Sequence, residues 1–142
     1  AVSEHFIVTP ASTSRPTRRG RWTMYLTGQW FELSAKEGVV PSSDPVGCLD
    51  VAVLQDRILG PILGIENPRT DQRIAFVGGI RGHKALSKRV DRGDAMVAFH
   101  LYPTGMGQLF DVADADQLMP PKSTWFEPKL RGGVVVHRIA ED

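Results

Sequence analysis

"RWTMYLTGQWFEL", residues 21–33, decides how the rest of the chain is read. Trp22, Met24 and Leu26 alternate with Thr23, Tyr25 and Thr27, the period of a strand. Gly28 then supplies a turn, and Phe31 and Leu33 resume the alternation, so the stretch predicts a β-hairpin. A hairpin cannot bury its apolar face alone, so further strands and at least one helix must cover it.

The neighbouring segments supply candidates. "HFIVTPA" (5–11) reads as a first strand, followed by a polar loop, "STSRPTRRG" (12–20). Residues 34–47 form a second loop, rich in Pro, Gly and Ser. Residues 49–59 predict a helix, with Val51, Leu54 and Ile58 on one face and Asp50 as a cap or first-turn acid. Gly60-Pro61 should break or kink it.

"RIAFVGG" (73–79) reads as a compact apolar strand. "HKALSKRVDRGD" (83–94) reads as a cationic amphipathic helix, with Ala85, Leu86 and Val90 inward and Gly93 ending it. "AMVAFHLYP" (95–103) predicts another strand. Thr104 then stands as the cap of a helix that would bury Met106, Leu109, Phe110 and Ala113. "GVVVHRIA" (133–140) has few polar positions and reads as a central strand. The expectation is one α+β domain over residues 1–142: a mixed sheet with an N-terminal hairpin and about three helices largely on one face.

Composition narrows the function classes. At 142 residues the chain fits one domain, able to bury roughly 70% of its unfolded surface. A net charge of +1 argues against nucleic acid as the main partner, although Arg15, Arg18, Arg19 and Arg21 form a short basic patch. Cys48 is the only cysteine, which removes an intrachain disulfide and fits a cytoplasmic setting. His5, His83, His100 and His137 are scattered without H-x-x-x-H or H-E-x-x-H spacing, so no metal is expected. Nothing in the residues indicates a cofactor. No apolar run reaches the roughly 20 residues of a membrane helix.

Two stretches carry candidate chemistry. In "MPPKSTWFEPK" (119–129), Lys122 and Lys129 supply charge and Ser123 and Thr124 hydroxyls, a composition suited to an anion. Trp125 and Phe126 would wall a pocket or stack on a base. The competing reading is a stiff connector, with Pro120, Pro121 and Pro128 bracing a crossing loop. In "GGIRGHK" (78–84), Arg81, His83 and Lys84 lie at a predicted strand-to-helix turn, where a helix N-terminus favours anions. Its glycines do not match G-x-G-x-x-G, so a solvated basic turn is the alternative there.

"MPPKSTWFEPKLRGGVVV" resembles the C-terminal signature of the bacterial and archaeal family called domain of unknown function 1015, through Met119, Pro120, Lys122, Ser123, Thr124, Trp125, Phe126, Pro128, Lys129 and Leu130. "YLTGQWFEL", "LDVAVLQDRILGPILGI" and "AFHLYPT" are similar to other segments of that family, in the same order. Trp125 and Glu127 depart from it, standing where members tend to have Tyr or Phe. The resemblance implies a longer protein whose N-terminal part carries a ParB-like G-H-H-R-Y motif, a stretch this sequence lacks. The chain is therefore expected to be a C-terminal fragment whose first partner is the missing N-terminal domain. The function expected is half of a small-molecule enzyme that binds a nucleotide or phosphorylated metabolite and is inactive in isolation. The alternative is a non-catalytic module packing on the N-terminal domain.

Overall fold

The computed structural model describes residues 1–79 and 82–124. A short α1 (Val2–His5) leads into β1 (Phe6–Pro10). The hairpin forms as β2 (Arg21–Leu26) and β3 (Gln29–Ala35), and β4 (Ala98–His100) completes a sheet of order β1-β3-β2-β4. The helices are α2 (Asp50–Leu54), which runs on as a π-helical turn (Gln55–Leu59), α3 (Gly82–Asp91) and α4 (Met106–Asp114). This is a single α+β domain with an N-terminal hairpin, as the sequence implies. The described pairings are all antiparallel. The 133–140 stretch, expected as a central strand, lies outside the described residues.

The hairpin turn is two residues long, because Leu26 pairs with Gln29. Thr27 and Gly28 both have positive φ, 49° and 81°, the signature of a type I′ turn. That geometry matches the twist of the strands, but it holds a β-branched residue in the left-handed region. Register then puts Trp22, Leu33 and Val8 on one face, beside Met24, Phe31 and Phe99. Thr23, Tyr25 and His100 lie on the other.

Trp22, Thr23, Met24 and Tyr25 are all buried, so β2 is covered on both faces. On the first face lies the main core, where Phe6, Trp22 and Leu33 meet Val53, Leu54, Ile58 and Leu59. The other face is closed in two places. The Ser14 carbonyl accepts a bond from the Thr23 hydroxyl at 2.8 Å and lies 2.9 Å from His100 Nδ1. The Tyr25 hydroxyl donates to Asp91 of α3 at 2.7 Å. Of the helices, α3 thus reaches the face opposite α2.

The helix over 49–59 forms, but its inward face differs from the α-periodic set. Val53 and Leu54 are buried, as are Ile58 and Leu59, each five residues further on. Five residues is the spacing of a π turn, and Gly60 N–H duly donates to the Gln55 carbonyl at 2.9 Å. Pro61 has no N–H to continue an α ladder, which favours the wider turn before it. Val51 is left half-buried, outside the core.

Three other expectations need correction. Residues 73–79 form no strand. The described sheet places β1 beside β3 and β4 beside β2, and residues 73–79 pair with neither outer strand. Its first residue, Arg73, instead donates to the Leu63 and Gly64 carbonyls at 3.3 and 2.7 Å. The cap of α4 is Gly105, not Thr104, whose hydroxyl donates to the Ser123 carbonyl at 3.1 Å. The Gln108 side chain accepts from Gly105 N–H at 3.1 Å and closes the cap. Gln108 and Val112 are buried, while Met106 and Phe110 are 56% and 57% exposed and Ala113 is exposed. By contrast, α3 turns Ala85, Leu86 and Val90 half inward and ends at Gly93, as expected.

The hairpin turn gives a direct test. Thr27→Asn keeps the positive φ with a residue that tolerates it, and the site is exposed. It should raise stability by about 0.5 kcal/mol or more, read as a higher urea midpoint at unchanged slope. Thr27→Val should lower it.

Candidate functional site

Two tight turns face each other across a concavity beside the π-helical turn. The first is built by Asn67, whose side-chain oxygen accepts from Arg69 N–H at 3.0 Å while its carbonyl accepts from Thr70 and Asp71. This Asx turn projects Pro68 and Arg69 outward. The second runs from Pro120 to Ser123. Ser123 N–H donates to the Pro120 carbonyl at 3.3 Å, and its hydroxyl donates to the same carbonyl at 2.6 Å. Pro121 and Lys122 occupy the middle, with Lys122 at φ 60°. Proline followed by a positive φ is a type II turn, in which the third position usually belongs to glycine. Lysine there costs roughly 1–2 kcal/mol of backbone strain.

Between the turns lies a cavity of about 320 Å³, lined by Arg69, Asp71, Phe76 and Lys122 among others. A second cavity, about 540 Å³, continues from it past Pro68, Phe76 and Pro121 and is floored by Val51 and Leu59. Both volumes suit a small molecule. The first cavity has a net positive charge. Asp71 is gripped by Arg73, with Nε to Oδ1 at 3.0 Å and Nη2 to Oδ2 at 2.5 Å. That guanidinium holds the Asp71 carboxyl below its ordinary range. Arg69 and Lys122 form no ion pair among the described residues.

The candidates from sequence separate accordingly. Lys122 lines the cavity, while Ser123 spends its hydroxyl inside the turn. Thr124 is exposed and lines neither cavity. His83 and Lys84 stand in the first turn of α3, away from the lining, and His83 Nδ1 is buried without a partner among the described residues. Arg81, Trp125, Phe126 and Lys129 lie outside the described residues. Of the basic loop, Arg21 is paired with Glu32, and Arg19 points to Cys48 Sγ at 3.7 Å. No group of three or more potential metal ligands occurs among the described residues. No helix among them is long and apolar enough to cross a membrane. The sequence reading missed Arg69, Asp71 and Phe76. The Asn-Pro-Arg-Thr-Asp spacing, two turn-forming acceptors around an arginine, was the available signal.

A second polar cluster is structural. Asp50 is 8% exposed, and its carboxylate accepts from Gly20 N–H at 2.9 Å through one oxygen. The other oxygen is buried without a partner. Burial raises the carboxyl above its ordinary 3.8, against the pull of Gly20 and Arg19. The folded chain thus binds this proton more tightly than the unfolded chain. The resulting stability is full below the unfolded value and is lost as pH rises through the folded one.

Compared with protein-family models, curated proteins and solved structures, the chain gives no match. The site is therefore read from its own chemistry.

The Asp50 carboxyl makes a pH-dependent prediction. Asp50→Asn removes the ionisation and retains an acceptor for Gly20. Chemical denaturation should show the variant gaining on the native chain as pH rises from about 3 toward neutrality. A difference that stays flat or reverses would show that the carboxyl is not held up by burial.

Proposed function

We propose that the chain binds an anionic group of a small molecule, such as the phosphate of a nucleotide or phosphorylated metabolite, between Arg69 and Lys122. The observation that carries this reading is charge left over in a shaped cavity. Arg73 neutralises Asp71, and two cations remain beside the Phe76 ring. Guanidinium and ammonium groups are standard partners for phosphate, and Phe76 offers an apolar wall for the body that carries it. Lys122 is exposed, so it needs no internal partner and is free to accept an anion.

In the same reading the domain is the C-terminal part of a longer small-molecule enzyme of the domain of unknown function 1015 family and is inactive alone. What supports this is the ordered set of motifs, from "YLTGQWFEL" to "MPPKSTWFEPKL". One observation favours the alternative of a non-catalytic module. Thr104 and Ser123 tie the same turn to the start of α4, so it also has a purely structural use.

Lys122→Gly separates the two. Glycine fits φ 60° better than lysine and takes away the charged side chain. Stability should hold within about 1 kcal/mol or rise. Affinity for pyrophosphate, measured by calorimetric titration at low salt, should fall about tenfold, as should that of Arg69→Ala. Unchanged pyrophosphate binding in both variants would leave only the structural reading.

A further inference from the structure

The second cavity has the opposite charge pattern from the first. Asp44 and Asp56 are the carboxylates on its lining, and neither forms an ion pair among the described residues. Asp44 is partly occupied, accepting from Val46 N–H at 3.0 Å. Asp56 accepts no hydrogen bond from the described residues and stands exposed on the π-helical turn. Arg69, Pro68, Phe76 and Pro121 line both cavities, so the two form one groove with Lys122 at one end, Arg69 and the Phe76 ring in the middle, and Asp44 and Asp56 at the other end.

The π register is what sets this acidic end. With Val53 and Ile58 turned into the core, Val51, Gln55 and Asp56 are left along the groove. Gln55 is fixed there by its side-chain N–H bond to the Ile65 carbonyl at 2.7 Å, which holds the turn beside Asp56 in place.

Resting on the anion-binding reading above, we infer that the groove takes a dipolar small molecule. Its anionic group lies at Arg69 and Lys122, its protonated amine at Asp56, and its apolar body against Phe76. The physical reason is cooperation. An ammonium at an exposed carboxylate gains little by itself, and so does an anion at exposed cations. Joined through one body, the second contact becomes intramolecular and adds to the first. A molecule with a single charge leaves one end of the groove unmatched.

The test is a calorimetric titration of the chain with ω-aminoalkyl phosphates of increasing length, each beside the alkyl phosphate of equal length. The aminoalkyl series should show an optimum length, at which it binds about fivefold tighter than its amine-free control. Asp56→Asn should bring the pair to within about twofold and leave the alkyl phosphate unchanged. Lys122→Gly should weaken both series together. If the two series bind alike at every length while still depending on Lys122, the dipolar inference is overturned and the anion site stands. If neither series responds to Lys122→Gly or to Arg69→Ala, the anion reading fails and takes this inference with it. An amine advantage that survives Asp56→Asn also overturns the assignment of the acidic end.

Discussion

A single residue, Asp50, joins the hairpin to the helix that covers it. The Trp22 indole N–H donates to its backbone carbonyl at 3.0 Å, and Gly20 N–H donates to its carboxylate at 2.9 Å. Trp22 is fully buried and meets Phe6 edge-on, with ring centroids 5.3 Å apart. A buried indole needs a partner for its N–H, and only a backbone oxygen at the start of α2 supplies one here. The two bonds thus set the position of α2 along β2. Everything downstream on that helix, including the π-helical turn and the groove wall, inherits this placement. The half-unpartnered carboxylate is the cost of the arrangement.

The π-helical turn converts that anchor into a groove wall. An α-helix through residue 59 would rotate Val53 and Ile58 apart, since five residues overshoot one α turn by more than a third of a turn. The wider turn keeps Val53, Leu54, Ile58 and Leu59 in one core stripe. It also leaves Val51, Ala52, Gln55 and Asp56 together on the side that faces the Asn67 and Pro120 turns. Such turns often mark functional positions, because they re-aim side chains without breaking the helix.

The elements readable from sequence were those whose signal is local. The alternation from Trp22 to Leu33 and the Gly28 turn carry the hairpin, and "HFIVT" supplies its neighbour. Gly93 ends α3 as a glycine should. Failures came where a tertiary partner overrules the local pattern. Residues 73–79 have strand composition, but Arg73 at their start is held by the Leu63 and Gly64 carbonyls instead. On α4 the apolar periodicity picks out Met106 and Phe110, whereas the helix packs through Gln108 and Val112. Of the residues lining the first cavity, Lys122 stood out from residue type and its proline-rich setting. Arg69 did not, because its value depends on Arg73 neutralising Asp71, a relation between side chains that spacing alone does not reveal.

The Pro120–Ser123 turn shows why a stretch can be both scaffold and site. Pro121 fixes the φ that a type II turn needs at its second position, which reduces the freedom of the unfolded chain. Ser123 closes the turn twice on the Pro120 carbonyl, and Thr104 ties it to the start of α4. Three residues and a tether are thereby spent on geometry alone. Lys122 contributes nothing to that geometry and is strained by it, where glycine would sit without penalty. An exposed cation held at a positive φ beside a cavity is a strained position of the kind that clusters at ligand clamps. The prolines and the serine of the stretch therefore build its geometry, and Lys122 is the member that the turn presents to the cavity.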